Sequence, residues 1–464
     1  MGGLTGSLSI ALQSLFIDQE ALQVTSNNIA NAQTPGYSRQ RPVLSEEPSI
    51  QLGSLQFGQG VKLEGIQSIR DAVLELRLNQ EAGSLGQLDS YLGAMNQVAA
   101  TFNETSGTGL QSVLSQFFNS FQQLSTDPTN LSLRQSVLNA GQSLVTAFNQ
   151  ASNTLSQLQT NLNQSISPTI NQVNQLSTQI AALNQQITDS GESAQASGTL
   201  IDQRTQLVRQ LSGLIGASVT TESNGAVDLS TGGGAALVVG NQSFALTVAA
   251  DPSTGNQHIY SQERDITADL DAGQLGGVIQ ARDQGVATAQ TNLDNLAAGL
   301  ISAVNAQHAQ GFDLNGVAGG NFFVPFSPPA SGSTQGAAAQ FAVAITDPAK
   351  IAASSDGTSG SNGNAQALAA LQNGAVVSGQ SPSVFYENLV AQVGTEVSDA
   401  TAQQQTQNMI QQQLQTQRDN ISGVSMDEEA ANLQLYQTAY DAAARVVSVI
   451  DTLAQTTINM GSGT

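Results

Sequence analysis

The chain has 464 residues, and its 13 basic against 35 acidic residues give a formal net charge of −22 at pH 7. This acidity argues against nucleic acid and against an anionic membrane surface as partners, because both attract clustered Lys and Arg. The absence of Cys excludes disulfides and thiolate metal sites, and the two histidines, His258 and His308, are fifty residues apart, so the sequence predicts no metal, no cofactor and no enzymatic activity.

Targeting signals are missing as well. No run of 18 apolar residues exists, which predicts no transmembrane helix. The N-terminus has no Lys or Arg before its first apolar stretch, so a cleaved secretory signal is not expected. If the protein leaves the cytoplasm, it needs another route.

The first segment has the pattern of a coiled-coil helix. Its stripe alternates spacings of four and three, and the large apolar side chains predicted to form the helix interface are Leu4, Leu8, Leu15, Leu22 and Ile29. The helix should stop near Ala32, because Thr34-Pro35-Gly36-Tyr37 is typical of a type II turn.

The middle of the chain alternates between helical and β-rich segments. Loop and strand are predicted at 41–70, followed by helices at 71–105, 109–125, 131–190 and 202–214, with Pro168 kinking or dividing the long third helix. Residues 216–270 are rich in Val, Thr and Gly, and Asn224-Gly225 signals a hairpin. Helix returns at 275–310. Residues 311–382 are Gly-rich, with one alternating strand at 341–345, and a further helix covers about 383–420.

The last segment mirrors the first. Ser425 and Glu428 form the capping-box pattern at a helix start. Two adjacent stripes follow, which implies neighbours on more than one side of the helix. The side chains predicted to form its interfaces are Leu435, Tyr436, Tyr440, Val446, Val449, Ile450 and Leu453.

These elements predict a mainly α fold with β inserts. The expected architecture is an elongated helical bundle or coiled coil formed from both termini, with a β-rich outer domain. The predicted domains are a terminal coiled-coil domain (1–40 and 421–464), a helical core (41–215, 271–312 and 383–420), a β-rich insert (216–270) and a Gly-rich irregular insert with short strands (313–382).

Three stretches carry a family resemblance. Residues 27–37, NNIANAQTPGY, resemble the N-terminal signature of flagellar rod, hook and hook-associated proteins. Residues 421–447, ISGVSMDEEAANLQLYQTAYDAAARVV, and 304–323, VNAQHAQGFDLNGVAGGNFF, are similar to segments of the flagellar hook-associated protein 1 family. The matching positions are Asn27, Asn28, Asn31, Thr34, Pro35, Gly36 and Tyr37 in the first motif, and Ser425, Asp427, Glu428, Glu429, Asn432, Tyr436, Tyr440 and Arg445 in the second.

The resemblance implies an extracellular structural subunit at the junction between hook and filament, exported through the flagellar type III apparatus. It also implies the partners: the hook protein, the second hook–filament junction protein, an export chaperone and further copies of the chain. Two alternatives stay open, namely another axial component of the flagellum and an exported enzyme or adhesin that carries flagellar export elements. Taken without the resemblance, the first motif is more typical of a plain C-cap and loop in a helical bundle.

Overall fold

The computed structural model describes residues 2–52, 55–103, 109–190, 194–330 and 332–461, and it is mainly helical with small antiparallel sheets, as predicted. Residue 1 and residues 462–464 of the predicted terminal domain lie outside this range. The helices are α1 Gly2–Asn31, α2 Ala72–Thr101, α3 Leu110–Leu124, α4 Leu131–Asp189, α5 Ala194–Ile215, α6 Gly273–Gln280, α7 Ala287–His308, α8 Gly363–Ala370, α9 Pro382–Ser422 and α10 Met426–Gly461. A π-helical turn, Ala281–Val286, joins α6 to α7.

The strands form four small antiparallel sheets within the described residues. They are β1 Gln40–Glu46, β2 Ile50–Leu52, β3 Leu55–Phe57, β4 Val61–Ser68, β5 Ser218–Thr221, β6 Val227–Ser230, β7 Ala236–Val239, β8 Gln242–Ser243, β9 Leu246–Ala250, β10 Gln257–Ser261 and β11 Arg264–Asp265. β1 pairs with β4, β2 with β3, and the remaining sheets have the orders β5-β6-β7-β8 and β11-β10-β9. The predicted hairpin is confirmed, because β5 and β6 flank Gly225 at φ +84°.

Two large hydrophobic clusters form the core of the part of the chain between α1 and α10. The first packs α3, the first half of α4 and α7 around Phe117, Phe148 and Leu293. The second packs the end of α4, α5 and α6 against the sheets of residues 218–265. Leu162 contacts both clusters, so the continuous helix α4 connects them.

The Gly-rich segment contributes to the first cluster. Phe322, Phe323 and Phe341 are all buried there, with ring centroids of Phe323 and Phe341 4.6 Å apart. Instead of the strand predicted at 341–345, the structure has a single β-bridge between Phe323 and Val343. The apolar alternation of residues 341–345 arises because Phe341 packs into the first hydrophobic cluster, not because these residues form a strand of a sheet.

Of the two predicted effects of Pro168, the division of α4 is wrong, whereas a kink stays a prediction. The helix runs through Pro168, and the prolyl ring lies on the exposed face. The flanking Ile166 and Ile170 are buried in the second cluster, and the Thr169 hydroxyl donates to the Ser165 carbonyl. Tertiary packing of the two flanking turns therefore outweighs the hydrogen bond that proline removes.

Candidate assembly interface

The first motif ends α1 at a defined residue. The amide of Thr34 donates to the Asn31 carbonyl (2.9 Å), and the amide of Tyr37 donates to the Thr34 carbonyl (3.2 Å). Gly36 has φ +82°, the sign that the third position of a type II turn requires. The predicted helix end and turn are therefore confirmed.

Asn28 is the centre of this motif. Its side chain is buried, and its amide nitrogen donates to the Gln40 carbonyl (2.8 Å) and to the Glu429 carboxylate (3.1 Å). Its amide oxygen accepts from the Gln40 amide (3.0 Å) and the Tyr37 hydroxyl (2.9 Å). One asparagine thus ties the end of α1 to the turn, to the start of β1 and to the first turn of α10.

The tyrosine stays a hydrogen-bond donor at any physiological pH. Burial, followed by the nearby carboxylates of Asp202 and Glu429, raises the pKa of Tyr37 to about 12. The neutral hydroxyl can therefore donate to Asn28 throughout that range.

Arg39 joins the motif to the C-terminal helix. Its Nε donates to Glu429 (2.7 Å) and one terminal nitrogen to Glu428 (2.5 Å), while its backbone amide donates to the Ser422 carbonyl at the end of α9 (2.8 Å). The predicted capping box forms only in part. The Glu428 amide lies 3.5 Å from the Ser425 hydroxyl, but the Glu428 carboxylate takes Arg39 as its partner.

The turn is also fastened to the helical core. Arg418 of α9 donates to the Gly36 carbonyl (2.8 Å), and Gln206 of α5 donates to the Pro35 carbonyl. Ser38 donates through its amide (3.0 Å) and hydroxyl (2.7 Å) to Asp202 of α5. The turn therefore redirects the chain from the terminal helices to the core at a joint with contacts on both sides.

Two further ion pairs brace this joint from the core side. Arg70 pairs with Asp202 (2.7 Å), and Glu75 of α2 accepts from both Arg209 (2.6 Å) and Arg418 (2.9 Å). With Arg39, four of the chain's 13 basic residues gather within one joint. We call the set of residues 28, 35–39, 70, 75, 202, 206, 209, 418, 428 and 429 the hub.

α1 and α10 pack against each other in antiparallel fashion, with the end of α1 beside the start of α10. On α1 the fully buried apolar residues are Ala11, Ile17, Ala21 and Val24. The predicted Leu4, Leu8, Leu15, Leu22 and Ile29 are only half-buried, so they flank this line rather than form it.

The C-terminal interface residues divide between two faces of α10. Ile450 is buried and Tyr436 half-buried against the chain, whereas five of the predicted residues face solvent: Leu435, Tyr440, Val446, Val449 and Leu453. Leu435 is 62% exposed and Val449 58%. We call the exposed line formed by Leu435, Val446, Val449, Leu453 and Met460 the outer stripe; Tyr440, 38% exposed, lies at the edge of the other face.

The remaining motif residues play smaller parts in this geometry. Asn31 donates to the Asn27 carbonyl (3.0 Å) and accepts from the Thr34 hydroxyl (3.2 Å), and all of these contacts lie on the exposed side of the turn.

A search of the described helices finds no segment with the length and hydropathy of a membrane span.

Comparison with known proteins assigns the family. Residues 95–323 match the family described as "Flagellar hook-associated protein FlgK helical domain". Flagellar hook-associated protein 1 of Bacillus subtilis is 31% identical over 98% of this chain and 98% of its own length. The chain belongs to the flagellar hook-associated protein 1 family. The relative from Escherichia coli is 27% identical over 98% of this chain and its full length.

A solved structure supports the fold. The flagellar hook junction protein FlgK from Burkholderia pseudomallei superposes with a TM-score of 0.66 at 19% identity, over 75% of this chain. The two ends match wider flagellar families, "Flagella basal body rod protein" at 18–37 and "Flagellar basal body rod FlgEFG protein C-terminal" at 415–460. Because the hook-associated protein 1 family consists of structural flagellar proteins, the prediction that the chain is not an enzyme is confirmed.

Sequence reasoning missed most of the hub partners in this family member. Arg70, Asp202 and Arg418 lie in segments predicted only as strand or helix. Arg70 and Asp202 are 132 residues apart in the sequence, and Arg418 and Gly36 are 382 apart. One signal was available: a chain with 13 basic residues among 464 makes every arginine a candidate for a specific contact.

Proposed function

We propose that this chain joins the hook to the filament of the bacterial flagellum, and that its copies assemble through the terminal helices. The observation that carries the assembly step is the outer stripe. Its side chains follow the spacing of a coiled-coil seam, yet nothing in the described chain covers them. Burying one such Val or Leu against a neighbour stabilises an assembly by about 1.5–3 kcal/mol.

Charge insertion on the outer stripe tests this proposal. Val449→Glu should abolish attachment of filaments to hooks while secretion continues, because a carboxylate in a packed seam has no partner. Ser448→Glu, at the neighbouring exposed position, adds the same charge outside the stripe and should leave motility intact. Equal motility of the two strains would contradict the role of the stripe.

The partners follow from this placement. We propose contacts with the hook protein on one side, with the second hook–filament junction protein on the other, and with further copies of the chain around the axis. Immunogold labelling of intact flagella should place the chain at the hook–filament boundary. Label along the rod or the whole hook would favour the alternative that the chain is another axial component. The matches of residues 18–37 and 415–460 to wider flagellar families are compatible with that alternative.

Export is proposed to follow the flagellar type III route, with the N-terminal segment as its signal. Before Arg39 the charged residues are Asp18 and Glu20. Deleting residues 2–30 should leave the protein in the cytoplasm. Normal amounts of the deletion variant in the culture supernatant would refute the signal.

A chaperone is proposed to cover residues 425–464 before export, because the outer stripe is an exposed apolar surface in a free chain. A truncation lacking these residues should no longer co-purify with the chaperone. Unchanged co-purification would place the chaperone's site elsewhere on the chain.

A further inference from the structure

Four asparagines in the described part of the chain contact extended segments in the same way. Each side-chain amide donates to the backbone carbonyl and accepts from the backbone N–H of one residue in another segment. The four pairs, with donor–acceptor distances of 2.8 to 3.2 Å, are Asn28 with Gln40, Asn174 with Leu246, Asn184 with Val227, and Asn305 with Phe323. Two facing residues of an antiparallel sheet exchange the same pair of bonds, so each asparagine takes the position of a facing strand residue.

In the β-rich insert the bound residues begin strands at points where another strand is missing. β9 is an edge strand, and its first residue, Leu246, meets Asn174 of α4 where a further strand would lie. Val227 is the first residue of β6, and Asn184 of α4 lies between it and Gly240. The carbonyl of Gly240, the residue after β7, also accepts from Asn184 (2.6 Å). α4 therefore supplies one hydrogen-bonded partner to each of the two sheets.

The same arrangement recurs in the Gly-rich segment. On one side, the Phe322 carbonyl and the Val324 amide bond residues 344 and 342. On the other side, the amide and the carbonyl of Phe323 both bond Asn305 of α7. This alternation is that of a strand with two neighbours, and the asparagine stands in place of the second neighbour.

The need for such a partner follows from the backbone chemistry of helices. Along the interior of a helix the N–H and C=O groups are used in its own hydrogen bonds, so a helix offers none to a strand that packs on it. Buried strand groups without partners are unfavourable. A carboxylate can only accept and an ammonium group can only donate, whereas the amide of asparagine does both.

We propose that these four asparagines act as surrogate strand residues, each of which closes the open side of an extended segment and fastens that segment to a helix. The amide must supply a donor and an acceptor together. In the first motif this requirement explains why Asn28 is an asparagine and not an aspartate. The role belongs to the free chain and is independent of the proposed junction function.

Asn174 is the best position for a test, because α4 carries no ionisable side chain between Arg134 and Asp189. Asn174→Asp keeps the size of the side chain but places an acceptor against the Leu246 carbonyl. At about pH 7.5 the folding equilibrium constant from urea unfolding should fall about tenfold relative to the parent, because one bond is lost and two acceptors face each other.

Acid should reverse this loss. Burial and the facing carbonyl raise the pKa of the introduced carboxyl, and its protonated form has an O–H donor beside a C=O acceptor. The carboxylate penalty therefore applies above the raised folded pKa and disappears as the pH falls through it. Between about pH 7.5 and about pH 5 the difference between Asn174→Asp and the parent should shrink.

Two variants are matched controls. Asn174→Leu has a similar size and neither donor nor acceptor, so it should be less stable than the parent by the same amount at both pH values. Asn153→Asp adds the same charge on the exposed face of α4 and should follow the parent. All of these proteins share the ionisable groups of the segments packed on α4, whose titration cancels in the differences; these groups include Asp251, His258, Asp265, Arg204, Arg209, Arg282 and Asp283.

Hydrogen exchange gives a local measurement on the same proteins. Asn174→Leu should speed exchange of the Leu246 amide and leave that of Val227 unchanged, and Asn184→Leu should do the reverse. Three outcomes would overturn the proposal: a pH-independent loss in Asn174→Asp, an equal loss in Asn153→Asp, and unchanged exchange of Leu246 in Asn174→Leu. None of these measurements involves hooks or filaments, so failure here and failure of the junction function are separate results.

Discussion

At Gly36 the backbone has a φ of +82°, and a Cβ there would lie 2.1 Å from the Gln206 amide nitrogen and 2.9 Å from its Cδ. A single glycine thus meets two constraints, one from the turn and one from α5.

His308 is a second residue whose contacts are satisfied on two sides, here in the core. It is buried, one ring nitrogen lies 2.7 Å from the Gly320 carbonyl, and the other accepts from the Ala352 amide at 2.9 Å.

Replacing Gly36 with Val should destabilise the hub. A β-branched residue resists positive φ, and strain of this kind costs on the order of 1–3 kcal/mol. Thermal unfolding should therefore show a lower Tm, with secretion retained and filament attachment reduced. Gly93→Val is the control, because Gly93 is exposed on α2 with nothing within 4 Å of an added Cβ. Equal Tm values for both variants would contradict the role assigned to the turn.

His308 should make the core sensitive to acid. Burial, followed by the nearby positive charge of Arg134, lowers its pKa below the ordinary value of 6.5 despite the opposing contact with Gly320. The unfolded chain then binds a proton more readily than the folded one. Stability from this group is complete above the unfolded pKa and is lost as pH falls below it, through the lowered folded value.

The measurement is a urea midpoint at neutral pH and again near pH 5, one to two units below the ordinary histidine pKa. The midpoint of the parent should fall on acidification, and that of His308→Gln should fall less, although this variant starts lower. An identical change in both proteins would exclude His308 as the source.

At the scale of elements, α4 shows how packing overrides a local rule. The exposed Pro168 removes one helical hydrogen bond, while Ile166 and Ile170 hold the adjoining turns in the second cluster. The hub shows the complementary case. Its short turn is held in place by Asp202 of α5 and Arg418 of α9 rather than by its own sequence alone.

Replacing Pro168 with Ala should stabilise the protein. Proline inside a helix is about 3 kcal/mol less favourable than alanine, and the exposed position brings no packing loss to offset the gain. Calorimetry should show a higher Tm, and urea unfolding should show a gain in the free energy of unfolding of up to about 3 kcal/mol. A lower Tm would mean that the prolyl ring contributes contacts the fold depends on.

For the whole molecule, the distribution of apolar burial separates the ends from the middle. Among the described residues, the two large hydrophobic clusters and a small third one, formed by Leu74, Leu78 and Leu414, contain no residue of α1 or α10. The terminal pair has its own narrow seam and the hub, whereas α7 contributes a row of fully buried leucines to the first cluster.

The terminal helices should therefore open before the core in a verified monomer. Regions with few buried contacts open at lower free energy, and this shows in amide exchange. Native-state hydrogen exchange should be faster in residues 8–29 and 436–453 than in 293–304. Brief proteolysis should trim both ends and leave a core from roughly residue 40 to 420. Equal protection in all three regions would contradict this order of opening.

The sequence by itself determined most of the element types, though not the strand predicted at 341–345, together with the end of α1 and the family. Period, turn residues and motif are local properties, and a stretch such as TPGY encodes its turn within four residues. The domain boundaries stay a prediction. Only the tertiary structure decided that α4 continues through Pro168, that Phe341 joins the helical core, and that Leu435 and Val449 face outward while Ile450 faces inward. The physical reason is that two stripes of similar apolarity leave the rotation of α10 undetermined by the sequence, while the contacts of its first turn, between Asn28, Arg39 and Glu429, join residues 390 to 401 positions apart.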